Sequence, residues 1–280
     1  MDDPALPPLP PPTGAEFRVD PPKPSLGQRI KKALGPVGVA IVALFGKLKL
    51  VIVPIIKFLP VFLKTGGTMI LSTWVYAMAF GWPFAAGLVL LIFVHECGHL
   101  LAAKLFGLKV SAPMFIPFMG AFIALKEAPR DAWMEACVGI GGPILGTIGA
   151  CASQGLYLLT GNPLFEALAY VAFLLNLFNL VPIGFLDGGR IATALSPWMW
   201  VGGVIIMGAM AWIHPTMMRI LILVLSLPRL LFLFRRKTEE EKRYFEVTPA
   251  RRWTMAVMYF GLVAFLFVSM RATYHVPMAQ

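Results

Sequence analysis

The sequence predicts an all-α, polytopic transmembrane helical bundle with a small re-entrant or β-strand segment near its active residues. Three observations carry that prediction. Across 280 residues, 58% are hydrophobic and only 14% charged, with a mean hydropathy of +0.77, which leaves too little polar surface to coat a soluble globule. About seven apolar runs approach the length of a membrane span: 66 to 82, 84 to 107, 134 to 160, 164 to 186, 191 to 213, 216 to 234 and 253 to 270. The basic residues sit at the ends of these runs and in two polar segments, so the net charge of +10 reads as a topology signal facing lipid headgroups and gives no nucleic-acid surface.

Residues 1–32 form the first expected unit, a disordered proline-rich cytosolic tail. Nine prolines lie within the first 24 positions, and no apolar stretch resembles a cleaved signal. Residues 33–65 are apolar but interrupted by Lys47, Lys49, Lys57, Pro54 and Pro60, which favours an interfacial helix or hairpin over a deep span. Residues 66–190 form the expected transmembrane core. Residues 191–280 are expected to be C-terminal transmembrane helices around a basic loop at 235–252, whose seven lysines and arginines place it in the cytosol. Counting spans back from that loop puts Arg190, Lys126, Arg130 and the basic 29–64 region on the same side. Cys97, Cys137 and Cys151 all lie in apolar stretches and read as packing residues.

Within the core, Pro113, Pro117 and Gly120 break the apolar 112–125 segment and point to an extended, re-entrant piece. Backbone of that kind is tolerated at membrane depth only where protein buries it or a wet cavity adjoins it. The run 84 to 107 contains His95-Glu96-Cys97-Gly98-His99, an H-E-x-x-H pattern. Positions i and i+4 of a helix differ by about 40° in azimuth, so both imidazoles reach one side and can grip a zinc ion. Glu96 is then placed as general base. Each ionisable group inside a bilayer costs about 3 kcal/mol on insertion scales, which weighs against finding this cluster by accident.

Two histidines leave such a site short of a third ligand. Asp187, before Gly188 and Gly189 at the inner end of its run, is the candidate. Pro182 and the two glycines are expected to break the helix and turn the carboxylate inward. His214 and His275 fall on the opposite face by the span count, as does Glu166. Asn176 and Asn179 share a helical face, where they could bond an extended substrate or a neighbouring helix. Gly142 and Gly146 form a G-x-x-x-G spacing and read as a packing feature. Cys97 points away from His95, and Arg190 reads as an interface anchor.

On HECGH at 95–99, GGP at 141–143 and NLFNLVPIGFLDGGR at 176–190, the sequence resembles the site-2 protease family of intramembrane zinc metalloproteases, over about residues 66–190. The resemblance implies one zinc ion held by His95, His99 and Asp187, Glu96 as catalytic base, and a 112–125 loop that presents an unwound substrate, with Gly120 and Phe122 beside it. It also implies single-span membrane proteins as substrates. Ile144 follows Pro143 where many relatives carry asparagine, so a substrate contact is expected to differ here. The expected form is a short one without PDZ or CBS domains, its substrate choice resting on the membrane part, the polar segments or a separate regulatory partner. The expected location is the bacterial inner membrane. The alternative is a zinc transporter or metal-sensing protein using the same ligands, which would need polar residues spread along a path across the bilayer.

Overall fold

The computed structural model describes residues 63–273 apart from 119, 236 and 237. The expectations for the 1–32 tail, most of the 33–65 segment and His275 lie outside the described residues. Helix α1 covers residues 63–80 of the described chain. It is followed by α2 (Trp82–Leu105), β1 (Met114–Ile116), β2 (Gly120–Phe122), α3 (Ala132–Thr160), α4 (Pro163–Asn179), α5 (Asp187–Leu195), α6 (Met199–Ile213), α7 (Met217–Phe234), α8 (Glu239–Tyr244) and α9 (Pro249–Thr273). The protein is therefore an all-α polytopic membrane protein with one small hairpin. Helices α2, α3 and α9 are each long and apolar enough to cross a bilayer, and α4 and α6 are shorter apolar helices.

Local chemistry sets the boundaries. Gly81, at φ 81°, and the proline after Trp82 start α2. Asp131 caps α3 by accepting the Met134 N–H at 2.7 Å. Gly161, at φ 65°, ends α3, and Asn162 with Pro163 opens α4 at once, so two helices are joined by a minimal turn.

Two expected spans are broken. The 164–186 run stops being helical at Asn179, because Pro182 lacks an N–H and Gly184 adopts φ 51°; residues 180–186 form consecutive turns instead. The 191–213 run divides into α5 and α6. Pro197 forces Ser196 into extended backbone (φ −164°, ψ 122°), which ends α5. Gly188 and Gly189 do not break a helix as expected; they lie in the first turn of α5. A Cβ on Gly188 would stand 2.0 Å from the Leu180 carbonyl oxygen, and one on Gly189 would stand 2.6 Å from that of Gly184. The glycines let α5 start hard against the 180–184 turn.

Helix α3 is the central element and packs against α2, α4, α5 and α9. Its contact with α2 is backbone to backbone: a Cβ on Gly98 would lie 2.1 Å from the Gly141 carbonyl oxygen, and one on Gly141 would lie 2.6 Å from that of Gly98. Small residues matter here because hydrocarbon offers no hydrophobic gain for helix pairing, which leaves close van der Waals contact to do it. Ile140, Phe173, Leu180, Ile191, Met255 and Tyr259 fill the core around α3, and the Tyr259 hydroxyl donates to the Leu180 carbonyl at 2.7 Å. Outward faces are apolar, with Leu158, Leu159 and Trp212 at least 75% exposed, as a lipid-facing surface requires.

Substituting Gly98→Ala forces α2 and α3 apart and should cost about 1–3 kcal/mol. Gly155→Ala in α3, where an added Cβ meets nothing within 4 Å, should stay within about 0.5 kcal/mol. Thermal unfolding in detergent, read by circular dichroism, checks both; equal melting of the two variants contradicts the packing account.

Candidate metal centre

Helix α2 presents His95 and His99 one turn apart toward α3 and the start of α5. His95 Nε2 lies 3.1 Å from His99 Nε2 and 3.1 Å from Asp187 Oδ2, and His99 Nε2 lies 3.2 Å from Asp187 Oδ1. All three residues are buried, as is Glu96. Among the described residues, the three offer metal-ligating atoms within 4.8 Å of one another.

The protonation pattern follows from the outer partners. His99 Nδ1 faces the Val138 carbonyl at 2.8 Å, and a carbonyl only accepts, so Nδ1 carries the proton. His95 Nδ1 faces Asn176 Oδ1 at 2.8 Å. The Asn176 amide is oriented by its Nδ2, which donates to the Ala172 carbonyl at 2.7 Å, so Oδ1 is the atom offered to His95. With each Nδ1 engaged by an acceptor, Nε2 is the nitrogen that each ring turns toward the other and toward the Asp187 carboxylate, and so the one available to ligate a metal. A divalent cation there would be held by two imidazole nitrogens and a carboxylate in a dry interior. The spacing suits zinc: bonds of about 2.0–2.1 Å to a tetrahedral ion separate its ligands by about 3.4 Å, close to the distances found. The donor set, two imidazoles and one carboxylate with hydrogen-bonded outer partners, is one that zinc takes.

Room for the rings comes from α3. A Cβ on Gly142 would stand 2.2 Å from His99 Nε2 and 2.8 Å from His95 Nε2, and one on Gly146 would stand 2.2 Å from Asn176 Oδ1. The G-x-x-x-G pair expected as plain packing thus forms the wall of the site. Asn176, expected to face substrate, has its amide engaged by His95 and the Ala172 carbonyl. The Val138 carbonyl had no sequence signal at all, because any residue supplies one.

Glu96 stands apart from the three and lines two cavities. One, of about 390 Å³, also exposes Asn179, Gly120, Phe122 and Arg190. The other, of about 360 Å³, reaches toward Tyr76 and Phe118. Both are lined by Gly120 and Ala121 of the β1–β2 hairpin, whose register pairs Met114 with Phe122 and Ile116 with Gly120. Helix α1 fixes the hairpin: Phe115 N–H donates to Thr68 Oγ1 at 3.2 Å, Thr65 Oγ1 donates to the Pro113 carbonyl at 2.9 Å, and Phe118 N–H donates to the Tyr76 hydroxyl at 2.9 Å. The extended segment expected at 112–125 is therefore present and borders the cavity of Glu96. His214 stands at the far end of α6 and takes no part.

Gly142→Ala should abolish stoichiometric zinc binding while leaving helicity intact, since the added methyl enters the ligand rings. Asn176→Leu should weaken zinc binding by about 10- to 100-fold by releasing the His95 ring. Metal content after dialysis against a chelator checks both; wild-type zinc occupancy contradicts the steric account of the site wall in Gly142→Ala and the orienting role of Asn176 in Asn176→Leu.

Comparison with known proteins gives two findings. Residues 83–162 match the model described as peptidase family M50. A zinc metalloprotease of Methanocaldococcus jannaschii is 34% identical over 121 residues, an alignment covering 40% of this chain and 35% of that protein. The matched stretch holds α2, the hairpin and α3, hence His95, Glu96 and His99, whereas Asp187 lies beyond the family-model match and joins the site through geometry. Both findings liken part of this chain to metallopeptidases: residues 83–162 to peptidase family M50, and a 121-residue stretch to a zinc metalloprotease of which it spans about a third.

Proposed function

We propose that the protein is an intramembrane zinc metalloprotease that hydrolyses peptide bonds within or beside transmembrane segments of single-span membrane proteins. The observation that carries this reading is the convergence of His95, His99 and Asp187, with the Nδ1 of each imidazole engaged by Asn176 or Val138 so that Nε2 points at the carboxylate. The family match and the relative support it. These three residues would hold one zinc ion, which would supply a Lewis acid for a peptide carbonyl and lower the pKa of bound water toward about 7.

The chain's own residues do the rest. Glu96, adjacent in sequence to a ligand yet outside the ligand set, faces the cavity where a scissile bond fits. It takes the proton of the attacking water and passes it to the departing amide nitrogen. Asn179 and the backbone of β2 around Gly120 border the same space and receive the substrate strand, with Phe122 beside them. A helical substrate has its carbonyls bonded within itself, so it must unwind before it can lie there. Burial of the cluster excludes bulk water from the reacting bond except through the cavity. We propose a bacterial inner-membrane location with the 235–252 loop cytosolic, that side being the one its seven lysines and arginines favour. A separate partner or the polar segments select substrates.

Glu96→Gln should lower cleavage of a reconstituted single-span substrate by about 10²- to 10⁴-fold while one zinc per chain is retained. Chelation of wild type should abolish cleavage, and added zinc should restore it. Cleavage by the variant at the wild-type rate overturns the assignment of the base; zinc movement across vesicles with no peptide cut by either form favours a transporter.

A further inference from the structure

The carbonyl of Gly189, two residues after Asp187, receives two side-chain donors from other helices. Trp200 Nε1 of α6 donates at 2.9 Å, and Arg229 Nη1 of α7 donates at 2.9 Å. Arg229 is itself held on three sides. Its Nη2 pairs with Glu135 Oε1 of α3 at 3.1 Å, its guanidinium lies 5.3 Å from the Trp200 ring centre, and Glu135 Oε2 accepts the Tyr244 hydroxyl of α8 at 2.7 Å. Burial, reinforced by the Glu135 carboxylate, pushes the Tyr244 phenol well above its ordinary range and keeps it a donor. Trp200 is buried and the Glu135 side chain is 12% exposed, while the Arg229 side chain is partly open at 32%.

Asp187 is the first residue of α5, with no side chain capping the helix start. Besides its contacts with His95 and His99, the position of its carboxylate depends on how the first turn is seated. On one side, Gly188 and Gly189 press against the 180–184 turn. On the other, the only side-chain hydrogen bonds to the Gly189 carbonyl, among the described residues, are those of Trp200 and Arg229.

We propose that Arg229 is a positioning residue for the metal ligand Asp187, and that α8, through Tyr244 and Glu135, holds Arg229 in place. Arg229 touches neither the metal nor the cavity of Glu96; it acts through the Gly189 carbonyl. A planar guanidinium can serve Gly189 and Glu135 at once from two nitrogens, which a lysine ammonium at the end of a flexible stem does poorly. The basic 235–252 connector is thereby linked to the metal centre.

The inference rests on the zinc reading of His95, His99 and Asp187. Its test uses the full chain in detergent, with zinc affinity measured by chelator competition and ligand geometry by the visible spectrum of the cobalt(II)-substituted protein. Arg229→Gln should weaken zinc binding by about 10- to 100-fold and alter the cobalt bands, while helicity stays at the wild-type level. Arg229→Lys should fall between wild type and Arg229→Gln, and carries the same comparison if Arg229→Gln does not fold. Wild-type affinity and an unchanged cobalt spectrum in the variants, in a protein whose wild type binds zinc, overturn this inference alone. A wild type that binds neither metal overturns the zinc reading and this inference with it.

Discussion

Two carbonyl oxygens, of Val138 and of the Asn176 side chain, decide what the centre of this protein can hold, because neither can donate a proton. Each accepts from the Nδ1 of a histidine on α2 and so turns the Nε2 of both rings inward. With the Asp187 carboxylate brought within 3.2 Å, the result is a set of three ligating groups in a dry interior. Such a set suits a divalent cation, which binds the deprotonated forms. The two close helix contacts serve this arrangement. Glycines at 98 and 141 let α2 and α3 touch, and glycines at 142 and 146 clear space for the rings and for Asn176.

The fold places chemistry at irregular backbone, where the bilayer tolerates it least. Residues 180–186 and the β1–β2 hairpin both border the cavities of Glu96, and neither could face lipid without exposing unpaired N–H and C=O groups. The hairpin is held by the Thr65, Thr68 and Tyr76 side chains of α1, the turn by Tyr259 of α9 and by the glycine-rich start of α5. An extended edge beside a buried carboxylate and a metal-sized cluster is what hydrolysis of an unwound segment demands.

Much of this was legible in the chain. Helical spacing in HECGH determines that His95 and His99 share a face, and the prolines and glycine of 113–120 foretold the extended segment. Helix limits were less legible, because an averaged apolar run conceals single breaks. Pro182 and Pro197 each end a helix inside a stretch that hydropathy alone treats as continuous. Gly188 and Gly189 were noticed for the wrong reason: they signal close packing of a helix start, not the loss of a helix. Roles that depend on distant partners could not be read. Asn176 lies 81 positions from His95, and Arg229 lies 40 positions from Gly189, so only the folded chain shows whom they serve. An arginine within the 216 to 234 apolar run was nonetheless a visible irregularity.

X-ray absorption at the zinc edge of the purified, zinc-loaded protein tests the central claim most directly. The account predicts one ion per chain with a nitrogen and oxygen shell at about 2.0–2.1 Å, outer scattering from two imidazoles, and no sulfur at about 2.3 Å. A shell containing sulfur, which would bring in Cys97 or another cysteine, or zinc lost on gel filtration, would contradict it.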